Sequence, residues 1–152
     1  LRTATQIGVS VVQPVFASHG EVFITGARLE SKLDKWRLTM IEACKQFGVK
    51  WLPELAPPLT FEDWLDLPAK EDSLRLVASL ETSRISLHKA LSDASPASTI
   101  QVAVGPEGDF SANEYAQMRS AKFKSVRLGA NVLRAETAAA YLLSVVDQIS
   151  QK

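Results

Sequence analysis

The residue types best placed for chemistry sit in the last third of the chain. Ile100 to Val104 is an apolar run that stops at Gly105-Pro106-Glu107-Gly108. A turn built this way lets a ligand approach bare backbone, because glycine offers no Cβ. Ser111-Ala112-Asn113-Glu114 follows with the spacing of a capping box. The Ser111 hydroxyl can accept from the Glu114 amide, and the Glu114 carboxylate from the Ser111 amide. Phe110 and Tyr115 fit the accompanying hydrophobic staple. The expectation is a buried strand, a tight turn and a helix start, whose amides favour anions and polar ligand groups. A second turn follows the strand pattern Ser125-Val126-Arg127-Leu128-Gly129, and the loop Ala130 to Arg134 leads into a helix over Ala135 to Ile149.

Arg134, Glu136 and Thr137 open that final helix. Glu136 suits the positive end of the helix dipole, whereas Arg134 is a cation where a cation is disfavoured. Its placement therefore points to an anionic partner. Other chemistries find little support. His19 and His88 are the only histidines, and neither stands near a carboxylate or cysteine at ligand spacing, so no metal is expected. Both read as surface or loop residues. Neither the G-x-G-x-x-G dinucleotide fingerprint nor a G-x-x-x-x-G-K-S/T phosphate loop is present. Cys44 lacks any nucleophile signature and reads as core packing.

The elements that must position these residues alternate between strand and helix. Leu1 to Ile7 reads as the tail of a helix stopped by Gly8. Val9 to Val15 is a valine-rich strand ending around Pro14, which cannot continue a central strand. Ser18 to Glu30 reads as loop, with a short strand over Val22 to Thr25. Lys32 to Phe47 is a helix with Leu33, Trp36, Met40, Ile41, Cys44 and Phe47 on one face, stopped by Gly48. Lys50 to Leu55 is a strand interrupted by Pro53, and Ala56-Pro57-Pro58 a break. Phe61 to Leu67 is a short helix, Leu74 to Leu80 a buried strand, Ser83 to Leu91 a short helix or irregular, and Ser92 to Ser98 a loop. The alternation implies an α/β fold with a mostly parallel sheet covered on both faces.

Composition sets the bounds. A chain of 152 residues is one domain with room for a proper core. No stretch approaches the ~20 unbroken apolar residues of a membrane span. One cysteine excludes an internal disulfide and fits a reducing compartment, and no signal-peptide pattern is visible; the expectation is a cytoplasmic protein. The 17 basic and 17 acidic residues balance, which argues against this piece gripping RNA strongly by itself.

GPEGDFSANE (105–114) and LGANVLRAETA (128–138) resemble the paired signatures of the ribosomal RNA small-subunit methyltransferase E family, of the SPOUT superfamily. ATQIGVSVVQPV (4–15) and KWRLTMIEACKQFG (35–48) extend the likeness over nearly the whole chain. The resemblance implies a trefoil-knotted α/β domain, with the last helix passing through the loop near Gly105 to Gly108, and an RNA-binding β-barrel domain preceding Leu1. It implies S-adenosyl-L-methionine as cofactor, held by Leu80, Glu81, Gly105, Pro106, Gly108, Leu128, Gly129, Leu133, Arg134 and Thr137. It implies methylation of uridine N3 in 16S ribosomal RNA, with Arg134 and Glu136 as catalytic residues, the small ribosomal subunit as partner and a homodimer as the working form. The last helix, with Ala138, Leu142, Val145, Val146 and Ile149 on one face and Ala139 and Leu143 widening it, suits either core packing or a dimer interface.

Several positions depart from the usual motif. Asp109 replaces the second glycine of GPEGG, adding a negative charge near the implied pocket, and Asn131 stands where arginine is usual. Ser18-His19-Gly20 stands where Ser-Glu-Arg is common, Gln6 where glutamate is, and Phe47 and Val49 replace the serine and arginine of Q-S-G-R. Alongside a methyltransferase, the pattern admits a non-catalytic RNA- or ribosome-binding domain of the same fold, and more distantly an unrelated nucleotide-binding α/β domain. Cofactor binding and methyl transfer separate these.

Overall fold

A computed structural model describes residues 1–20, 24–69, 71–94 and 97–150. At its centre lies a four-stranded, all-parallel sheet made of β5 (Ser73–Ala78), β6 (Ile85–Ser86), β7 (Thr99–Ala103) and β8 (Lys124–Arg127), in the order β6-β8-β5-β7. β5 pairs with β7 from Ser73↔Thr99 to Val77↔Ala103, and with β8 from Leu76↔Lys124 to Ala78↔Val126. The connection from β7 to β8 therefore crosses over β5, and the three strands end at one edge of the sheet.

Side-chain alternation along β5 divides the core in two. Val77 faces Phe61 and Trp64 of α3 (Phe61–Leu65) and Phe110, Tyr115, Met118 and Phe123 around α5 (Ala112–Ser120). Leu74 and Leu76 face Leu87 and Ala90 of α4 (Leu87–Ser92), with Val126 and Leu142 of α6 (Ala135–Ser150). Helices thus cover both faces, as parallel strands buried on both sides require. The first cluster is aromatic: Trp64 and Phe123 lie 5.2 Å apart, and Phe110 meets Tyr115 edge-on at 5.7 Å. Offset and edge contacts of this kind suit aromatic quadrupoles.

The N-terminal third wraps this unit. α1 (Arg2–Ile7) ends at Gly8 in the left-handed conformation and packs against α2 (Gly26–Phe47) and α6. The strand expected over Val9 to Val15 divides into β1 (Val11–Val12) and β2 (Val15–Phe16). β1 pairs in parallel with β3 (Glu54–Leu55), and β2 with β4 (Leu59–Thr60). Pro14 separates the first two strands and Ala56-Pro57-Pro58 the second two, so the break at 56–58 is a bend between β3 and β4. The 22-residue α2 begins at Gly26, well before the expected Lys32. Met40 and Ala43 form its buried face, while Cys44 is half-buried, donating to the Trp51 carbonyl, and Phe47 is exposed. Of the strand expected over 22–25, residues 22 and 23 lie outside the described residues; Ile24 and Thr25 lead into α2 without pairing. Ser83 to Leu91 resolves into β6 and α4, with the Ser86 hydroxyl capping the helix.

Among the described residues, no helix is long and apolar enough to cross a membrane, and no group of side chains could hold a metal ion.

Candidate active site

The ends of β5, β7 and β8 release three adjacent turns. A cavity of about 290 Å³ lies among them, lined by 78–80, 104–107, Asp109 and 127–135, with Arg84 and Ala138. Seven residues singled out from the sequence meet here: Leu80, Gly105, Pro106, Leu128, Gly129, Leu133 and Arg134. Gly108, Glu81, Glu136 and Thr137 are not among the lining residues.

Glu81 is turned elsewhere. Its carboxylate accepts from the Arg119 guanidinium at 2.8 and 2.9 Å, and from the Ser125 hydroxyl at 3.4 Å. Its backbone does the local work. The Glu81 amide donates to Ser79 Oγ at 3.1 Å, and its carbonyl accepts from Arg84 at 2.8 Å. This network fixes the turn that carries Leu80 into the cavity.

The Gly105 turn is held from several sides. A Cβ on Gly105 would lie 3.1 Å from the Phe110 ring and 3.2 Å from Asp109 Oδ1. The Asp109 amide donates to the Pro106 carbonyl at 2.9 Å. Asp109 sits at φ 59, in the left-handed region that a glycine adopts without cost, which accounts for glycine in the usual motif. The carboxylate that the sequence places near the pocket accepts from the Tyr115 hydroxyl at 2.6 Å. Burial, and then this carboxylate, push the Tyr115 hydroxyl well above the usual phenol range, so the proton stays on tyrosine.

Behind the turn, the capping box is complete. Ser111 Oγ accepts from the Glu114 amide at 3.2 Å, and Glu114 Oε2 from the Ser111 amide at 2.7 Å. Glu114 is 3% exposed, and its other oxygen accepts from the Ser18 amide at 2.8 Å. Burial alone would raise its pKa, but the Ser18 and Ser111 amides outweigh it and hold the carboxyl below its ordinary value. His19, read from the sequence as a surface or loop residue, is exposed but places Nδ1 3.1 Å from the carbonyls of both Gly108 and Asp109.

The opposite wall, 128–134, differs. Val132 is 73% exposed, and a Cβ on Gly129 would meet nothing within 4 Å. Arg134 supplies the first carbonyl of α6, accepting from the Ala138 amide at 2.8 Å. Arg84 and Arg127 join Arg134 around the cavity, and neither was singled out from the sequence. Their common signal is proximity to strand ends, at β6 and β8. Glu107 is exposed on the cavity wall, while Glu136 is exposed in the first turn of α6.

A larger open groove, about 1370 Å³, runs between the N-terminal strands, α2 and α6. It shares only 104–107 and Ala135 with the strand-end cavity. The smaller space gathers all three turns and the cations, and so is the better candidate despite its size.

Comparison with known proteins places the chain in a family. The profile of the RNA methyltransferase domain family matches residues 1–147. The chain belongs to that family. Within the RNA methyltransferase domain family, the ribosomal RNA small subunit methyltransferase E of Synechocystis sp. is 28% identical over 149 residues, covering 98% of this chain and 48% of that protein. The Aquifex aeolicus protein of the same name is 30% identical, covering 96% and 60%. Among solved structures, the Neisseria gonorrhoeae ribosomal RNA small subunit methyltransferase E bound to S-adenosyl methionine superposes with a TM-score of 0.85 at 28% identity, over 97% of this chain and 59% of that one. A Legionella pneumophila protein with SAM bound gives 0.86 at 26% identity, over 97% and 58%. The chain thus spans about half to three fifths of the length of these relatives.

Proposed function

We propose that this domain binds S-adenosyl-L-methionine in the strand-end cavity and transfers its methyl group to N3 of a uridine in small-subunit ribosomal RNA. The observation that carries this reading is the convergence of the turns after β5, β7 and β8 on one cavity lined by 78–80, 104–107, Asp109 and 127–135, with Gly105 packed so closely against Phe110 and Asp109 that its backbone lies bare there. The lining fits such a cofactor. Leu80, Leu128 and Leu133 offer apolar surface, and the turns present main-chain groups that can hydrogen-bond adenine without demanding particular side chains. Gly108, Glu81 and Thr137 act in this reading through the turns and the helix start they belong to.

Bound S-adenosylmethionine supplies an electrophilic methyl group on a sulfonium. The chain has to align the uracil with it and manage one proton and one charge. Alignment by the three turns carries much of the rate. The N3 proton passes to a carboxylate, and the negative charge left on the uracil oxygens is held by a guanidinium. Arg134 takes the second role. For the first, Glu107 lies on the cavity wall, whereas Glu136, the base expected from the sequence, stands outside the lining. N3 lies on the pairing edge, so the uridine is presented unpaired or flipped out.

The working form is a homodimer in the cytoplasm acting on the small ribosomal subunit. Ala138 and Leu142 of α6 are spent on the core, leaving Tyr141 and Ile149 exposed for a second copy. The family likeness extends this reading to the threading of α6 past the 105–108 loop, against the general rule that chains do not thread loops.

Incubation with methyl-labelled cofactor and small ribosomal subunits, followed by nucleoside analysis, tests the activity. Label recovered as N3-methyluridine is the expected result. Cofactor binding with no label in RNA would favour a non-catalytic domain.

A further inference from the structure

We propose that His19 is a positioning residue that clamps the cofactor turn from outside, an inference that rests on the cofactor reading above. Two departures from the usual motif, the Ser18-His19-Gly20 stretch and Asp109, lie 90 residues apart at His19 and Asp109, and the fold brings them together. His19 Nδ1 stands 3.1 Å from the Gly108 and Asp109 carbonyls. Both partners only accept, so Nδ1 carries the hydrogen and donates to the pair. That holds for the neutral Nδ1–H tautomer and for the imidazolium alike.

The fit is mutual. A Cβ on Gly108 would lie 3.0 Å from His19 Cβ, so a side chain at 108 would press on His19. His19 is itself held. The Gly20 amide donates to the Ala17 carbonyl at 3.0 Å, Ala17 and Val15 pack against the aromatic cluster, and the neighbouring Ser18 amide is bound by buried Glu114. Asp109 is meanwhile pinned from inside by Tyr115. The turn is thus gripped on both sides at the residue whose left-handed backbone departs from glycine. A turn fixed in advance leaves less ordering to be done when the cofactor arrives, and so binds it more tightly.

The test compares wild type, His19→Ala and His19→Asn, since the asparagine amide can place an N–H near the Nδ1 position. Hydrogen exchange without cofactor reads the clamp directly at the Asp109 amide. Exchange there should speed up about tenfold in His19→Ala relative to the Leu76 amide in the core, and return to within about threefold of wild type in His19→Asn. Calorimetric Kd for S-adenosylmethionine should rise about tenfold in His19→Ala and recover in His19→Asn, with KM for the cofactor moving and kcat staying within about twofold. Unchanged exchange and Kd in His19→Ala would overturn the proposal, as would an alanine defect that asparagine does not repair. Failure of wild type to bind the cofactor would instead sink the cofactor reading, while the exchange measurement would still judge the clamp.

Discussion

The two long walls of the cavity are built on opposite plans. The 105–109 turn is gripped by His19, by Tyr115 through Asp109, and by the capping box behind it, and its Gly105 has almost no room for a side chain. The 128–134 loop has Val132 in solvent, open space around Gly129 and, among the described residues, no side-chain hydrogen bond of its own. Yet the loose wall carries Arg134, and the strand feeding it carries Arg127. The lesson is a division of labour. In the proposed reading, the fixed wall presents backbone of set shape to the cofactor, and the open wall brings charge to the substrate.

The largest effect is expected behind the fixed wall. Glu114→Ala removes a buried carboxylate that two amides donate to, and should cost about 3 kcal/mol. Thermal denaturation measures it. The same group sets a pH dependence. Its native pKa lies below the reference value of 4.5, so its contribution is full above that value and is lost as pH falls below it through the native pKa. Glu114→Gln should be less stable at neutral pH and show a flatter acid limb. A variant as stable as wild type would mean that the wall is not held in this way.

On the open wall, Arg134→Ala should lower methyl transfer about a hundredfold while changing the cofactor Kd by less than about threefold. Equal losses in both would place Arg134 in cofactor binding and blur the contrast. The glycines compare the walls most simply. Gly105→Ala should weaken cofactor binding about tenfold, because the Phe110 ring and Asp109 must give way. Gly129→Ala, with nothing in reach of its Cβ, should stay within about twofold. The smallest effect separates the carboxylates. Glu136→Gln should leave kcat within about twofold, whereas Glu107→Gln should reduce it more, consistent with an acid–base role on the cavity wall. The reverse order would return the proton to the helix start.

What could be read without coordinates follows from range in sequence. The capping box and staple join residues three to five apart, so Ser111, Glu114, Phe110 and Tyr115 revealed themselves, as did β7 and the turn that ends it. The start of α2 was hidden because periodicity detects only the buried stripe, and its first turns are exposed. Pro14 marked the end of the first strand pattern, but β2 beyond it was not legible, because the partners of both strands lie some forty residues away. Glu81 looked like a pocket residue because its turn is one. Only the fold shows that Arg119 draws its carboxylate away. His19 had no local signal, since its partners are 89 and 90 residues distant.

Calorimetric titration of the purified chain with S-adenosylmethionine, with melting followed in parallel, bears most directly on the central claim. One cofactor bound per chain and a raised Tm are the predicted results. An absence of both heat and Tm shift at millimolar cofactor would contradict the assignment of the strand-end cavity.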